Sequence, residues 1–155
     1  MALPTSDYGK TMAAGGEQSA KRDEQGATLA AISRRIVGLL KEHYGKGPNK
    51  ARTYYSGDLV VVLLSGGYTQ AEKTLIKDGR SRAVMDLRAE LQEVMNERFR
   101  QVIEEELHRN VIAFMSAGHH DPDYNAEVFV LASRDTEESE SSPGQGEELQ
   151  WGAED

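Results

Sequence analysis

Four residues in one short stretch could hold a metal: His119, His120, Asp121 and Asp123, between Gly118 and Tyr124–Asn125. Imidazole nitrogen and carboxylate oxygen together suit zinc, manganese or iron. Adjacent residues on one turn rarely converge on a single ion, and no second ligand cluster occurs elsewhere in the sequence. Asp-Pro-Asp is also ordinary turn chemistry, so a polar hairpin loop accounts for the stretch without a metal. The remaining histidines, His43 and His108, fall at predicted helix ends, where a cationic side chain complements the dipole. With no cysteine in the chain, thiolate metal sites, disulfides and cysteine nucleophiles are excluded.

Arg80 and Arg82, in Gly79-Arg80-Ser81-Arg82, are the candidate anion ligands, because they stand where one helix ends and the next begins. Paired arginines are equally at home in an exposed helix connection. Gly45-Lys46-Gly47-Pro48 resembles a phosphate loop only superficially: it follows a helix, precedes a strand and lacks the lysine-serine or lysine-threonine ending. Thr69-Gln70-Ala71-Glu72 fits a reciprocal capping box, which employs both the Thr69 hydroxyl and the Glu72 carboxylate. A catalytic role for Glu72 is the lesser reading. No serine elbow or recognisable nucleophile-base spacing occurs, so no catalytic residue is assigned and no cofactor is expected.

The elements that position these residues follow from periodicity and punctuation. Leu29, Ile32, Ile36, Leu39 or Leu40, and Tyr44 recur at helical spacing and predict a helix from about Asp23, ended by Gly45 and Pro48. Arg52–Tyr55 and Leu59–Ser65 flank Ser56-Gly57-Asp58 and predict a hairpin. The apolar run Leu59–Leu64 implies a strand covered on both faces, or by helices on one and a partner subunit on the other. A short helix is predicted over Gln70–Asp78 and a long one over Ser81–Arg109. Strands Val111–Ser116 and Glu127–Leu131 close the pattern, joined by a loop from Ala117 to Ala126. The order α-β-β-α-α-β-β predicts an α+β domain, an antiparallel sheet of two β-hairpins with helices on one face.

The long helix carries an apolar stripe of Val84, Leu87, Leu91, Met95, Phe99 and Val102. At about 43 Å it outruns the width of a four-stranded sheet, so these six are the candidate interface residues of a homodimer.

Charge and composition divide the chain. The formal net charge is −8, but residues 134–155 hold eight acids and one arginine, leaving the rest near neutral. The expected organisation is a flexible leader over 1–22, a folded domain over 23–133 and a disordered acidic tail over 134–155, with Trp151 as a lone aromatic in it. Lys and Arg are too few and too dispersed for a nucleic-acid surface. No run approaches the roughly 18 apolar residues of a membrane span, and Met1–Gln18 has no signal-peptide core. A cytoplasmic location is expected.

From about Asp23 to Ala132 the chain resembles the family of the Na⁺-translocating membrane-potential-generating system MpsC. The likeness rests on Gly45-Lys46-Gly47-Pro48, Asp58–Gly66, Tyr68–Leu75 with its Thr69/Glu72/Leu75 spacing, Gly79-Arg80 before the long helix, and Glu127–Leu131. Gln70 departs from the proline expected at the first helical position. The resemblance implies a small cytoplasmic accessory protein, without enzymatic activity, of a membrane system affecting membrane potential and sodium or inorganic-carbon handling. The partners expected are a second copy, called for by the stripe of the long helix, and an integral membrane protein of that system, through which it would sit peripherally on the membrane. The alternative is a metal or anion sensor using residues 119–123 or Arg80 and Arg82.

Overall fold

The computed structural model describes residues 9–134, with side chains from Gly15 onward. Its elements are α1 (Gly9–Tyr44), β1 (Lys50–Ser56), β2 (Leu59–Ser65), α2 (Gln70–Lys77), α3 (Ser81–Leu107), β3 (Val111–His120) and β4 (Asp123–Leu131). This is the α+β fold that the patterning predicts. The expected acidic tail and Trp151 lie outside the described residues. Helix α1 begins at Gly9, not at about Asp23, so residues 9–22 of the expected leader are helical here. Every residue from Gly15 to Ala27 is exposed, which is why no apolar stripe marks that stretch.

The four strands form one antiparallel sheet in the order β1-β2-β4-β3. Both hairpins are therefore intact, and β2 joins them by pairing with β4 from Leu59 opposite Val130 to Ser65 opposite Tyr124. Alternation along each strand sends one residue in two to each face. The inner face receives Val60, Val62 and Leu64 from β2, Phe129 and Leu131 from β4, and Val111 from β3. Ile32, Ile36 and Leu40 of α1 and Met95, Phe99, Val102 and Ile103 of α3 cover it. Thr53, the buried polar residue on β1, shares a 2.7 Å hydrogen bond with the Ser33 hydroxyl of α1. Aromatic contacts tie the layers: Phe114 lies 5.0 Å from Phe129 and 6.2 Å from Phe99 between ring centroids.

Two expectations need correction. The Ala117–Ala126 loop is not a loop: β3 and β4 run on as paired strands to His120 and Asp123, leaving a tight turn at Asp121-Pro122. That longer hairpin extends beneath the first half of α3, which is why the helix does not outrun its cover. Val84, Met95, Phe99 and Val102 are accordingly buried in the chain's own core, and Leu91 is half-buried. Of the six candidate interface residues only Leu87 stands well exposed, at 49%, joined on α3 by Val94 at 75%.

All the buried core residues face one side of the sheet. The other side carries Leu59, Val61 and Leu63 of β2 and Ala126, Val128 and Val130 of β4, with Tyr54 and Met115 on the flanking strands. No helix among the described residues packs on it.

Candidate functional site

Where α2, α3 and the turn end of β4 meet, Glu72, Arg88 and Asp123 form a buried ionic cluster. The capping box sets Glu72: its own amide donates to the Thr69 hydroxyl at 3.2 Å, and its carboxylate accepts the Thr69 N–H at 2.7 Å. Helix α3 supplies Arg88, one turn beyond Val84 on the stripe that faces the sheet. Its Nε donates to Glu72 Oε1 at 2.9 Å and its NH1 to Asp123 Oδ1 at 3.2 Å. The guanidinium stacks over the Tyr68 ring, 4.2 Å from the centroid. Burial alone would raise the Glu72 carboxyl, but the Arg88 pairing and the Thr69 amide outweigh it and hold Glu72 below its ordinary value. At Asp123 burial wins and the carboxyl stands above its ordinary value despite Arg88. Two acids share one guanidinium, and Glu72 holds the better part of it.

A cavity of about 30 Å³ adjoins this cluster, between Arg88, Tyr44, Gln92, Asn125 and Glu127 and the backbone of Gly66 and Gly67. It has room for more than one water-sized group. The glycines are required there. Gly67 has φ +106° and a Cβ would come within 3.0 Å of Pro48 Cα; Gly66 has φ +73° and a Cβ would strike the Asn49 side chain. Tyr44, pushed up to about 12 by burial, stays protonated and donates to the Arg88 carbonyl at 3.4 Å.

Glu127 lines the cavity and is wholly buried. Its Oε1 accepts from Gln92 Nε2 at 2.8 Å, while Oε2 has no partner among the described residues. Burial pushes its carboxyl up to about 7, against the neighbouring Ser116 hydroxyl and the Gln92 amide, which favour the anion. Chemically the site can take and release a proton near neutrality.

The predicted site residues are dispersed. His119 and His120 sit on successive positions of β3, opposite Tyr124 and Asp123 respectively, so their strand positions face opposite sides of the sheet. A His119 ring nitrogen hydrogen-bonds the Pro122 carbonyl at 2.8 Å, and Asp123 is engaged by Arg88. No group of three metal-ligating side chains comes together among the described residues. Arg80 occupies the N-cap position of α3 and Arg82 lies 3.9 Å from Asp86; both arginines are exposed. Glu72 is where the capping box predicts it. Arg88 and Glu127 were legible only as breaks in pattern: Arg88 as a charge on an apolar helical stripe, Glu127 as an acid in phase with Phe129 and Leu131. Arg109 is a further buried cation, donating to the Tyr55 hydroxyl at 3.0 Å and the Gly57 carbonyl at 2.9 Å and pairing with Asp58, which pins the far end of the sheet.

No helix of the described residues is long and apolar enough to cross a membrane. No curated protein and no solved structure matches the chain. Residues 24–133, the whole sheet with its covering helices, match the family model described as Na⁺-translocating membrane potential-generating system (MpsC). The chain belongs to the MpsC family.

Proposed function

We propose that this chain is a non-enzymatic accessory module of a membrane-associated system that affects membrane potential and sodium or inorganic-carbon handling. It works as a homodimer and docks on an integral membrane protein, which carries the ion. The family description supports the connection with membrane potential. The observation that carries the reading is the apolar sheet face on which no element of the described residues packs, with Leu59 44% and Met115 53% exposed. Monomeric soluble proteins rarely leave a contiguous apolar patch of this kind to water. The buried charges support the same reading, since Arg88 and Arg109 are consumed by structural pairing.

Affinity purification from native membranes tests the partner: one integral protein should be enriched repeatedly, and a voltage-sensitive dye should report an altered membrane potential in cells lacking the chain. Recovery of no integral protein together with an unchanged potential overturns the reading.

A further inference from the structure

The register of the sheet arranges the face left open by the described residues in four rows across the strands. One runs Ser56, Leu59, Val130, Ala113; the next Tyr54, Val61, Val128, Met115; the next Arg52, Leu63, Ala126, Ala117; the last Lys50, Ser65, Tyr124, His119. The central strands β2 and β4 present no charged side chain on this face, and the formal cations stand only on the edge strand β1. From these rows we infer that the face is a two-fold interface with a second copy of this chain, the axis running along the strands, so that two sheets stack into an eight-stranded sandwich. The inference rests on the homodimeric reading above and adds where and how the copies meet.

Three features select this occupant and this axis. Four strands of about seven residues span about 19 by 23 Å, so two copies would bury on the order of 1,000 Å² of accessible surface, the size at which specific interfaces begin. A rotation about the strand direction lays β1 over the partner subunit's β3 and β2 over its β4. In the third row large side chains then meet small ones, Leu63 over Ala126 of the partner subunit and Arg52 over Ala117 of the partner subunit, and in the second Val61 lies over Val128 of the partner subunit. A rotation about the perpendicular in-plane axis would instead lay β2 on β2 and β4 on β4 with the rows reversed, setting Val61 over Leu63 of the partner subunit and Val128 over Ala126 of the partner subunit, a less even fill of the centre. Sheets stacked face to face also tolerate the rotation of about 30° that their twists impose.

Light scattering on the full chain at micromolar concentration, with Val61→Asp and Val128→Lys, tests the arrangement. Wild type should run at twice the 17.1 kDa of one chain. Each variant alone should run at the mass of one chain with an unchanged circular dichroism spectrum. An equimolar mixture of the two variants should return to the doubled mass, because the carboxylate introduced on β2 of one copy then lies over the ammonium introduced on β4 of the other. Met115→Lys, at an exposed edge position, should also halve the mass and covers the case in which a β2 or β4 variant misfolds. Leu87→Lys on α3 should stay dimeric. A wild-type chain of single mass overturns the homodimeric reading and this inference with it. A doubled mass that survives Val61→Asp, Val128→Lys and Met115→Lys overturns the face alone, and folded monomeric variants that fail to recombine overturn the axis.

Discussion

Arg88 Nε donates to Glu72 Oε1 at 2.9 Å, with the two side chains 8% and 4% exposed, so a helix cap and a buried ion pair share one carboxylate. Glu72 closes the first turn of α2 and at the same time neutralises a cation that α3 carries into the interior. This link, more than apolar contact, fixes α2 against α3.

Breaking the pair from one side should therefore be costly. Arg88→Met leaves Glu72 and Asp123 buried without a counter-charge, a loss of about 3–5 kcal/mol. Chemical denaturation should show this fall in stability, and Glu72→Gln, which keeps the shape and the capping acceptor, should lose less. Equal losses would mean that packing, not charge, holds the site.

Thr69→Ala removes the hydroxyl that accepts the Glu72 amide at 3.2 Å. The expected cost is about 1 kcal/mol. Because the Thr69 N–H still reaches the Glu72 carboxylate, the ion pair should persist, and amide exchange should speed up in the first turn of α2 only.

Glu127 should make stability fall as pH rises. Its carboxyl has an ordinary value of 4.5 and stands at about 7 in the fold. Below the lower value both states carry the proton. Between the two values only the unfolded chain releases it, and each pH unit then costs the fold up to about 1.4 kcal/mol. Above about 7 the full penalty, about 3 kcal/mol, is in place. Glu127→Gln keeps an acceptor for Gln92 and carries no charge, so its advantage over wild type should be absent near pH 4 and largest at pH 8. Thermal unfolding of both proteins across this range checks it; a constant difference would show that the Glu127 carboxyl titrates in the fold as it does in the unfolded chain.

The first half of α1 should be the least protected helix. Gly15–Ala27 is exposed throughout, and a helix segment without tertiary cover is marginal in water. Hydrogen exchange should be fast there and slow from Ile32 to Leu40. A chain beginning at Asp23 should melt within about 2 °C of the full chain, since residues 15–22 are exposed.

Local signals made much of the fold legible. The capping box at Thr69 and Glu72, the stop after Tyr44, the Ser56-Gly57-Asp58 turn and the helical stripes each depend on residues a few positions apart, so the α-β-β-α-α-β-β order could be read directly. The sheet face that no described element covers was half legible: the run Leu59–Leu64 called for cover on two sides, whereas the α3 stripe, read as needing a partner, is mostly buried within the chain. Helix α3 satisfies its stripe inside the chain because β3 and β4 continue to His120 and Asp123, and polar residues in that hairpin end disguise it as a loop.

The family, the element order and the presence of a face needing cover were thus determined by the residues in sequence. Only the tertiary structure decided that β4 joins β2 at the centre of the sheet, and this one pairing places Asp123 beside Arg88 and Glu127 beneath Gln92. Burial of a charge depends on which distant segments become its neighbours, and no spacing along the chain encodes that; periodicity and capping act within a turn or a strand, where sequence distance and spatial distance are nearly the same.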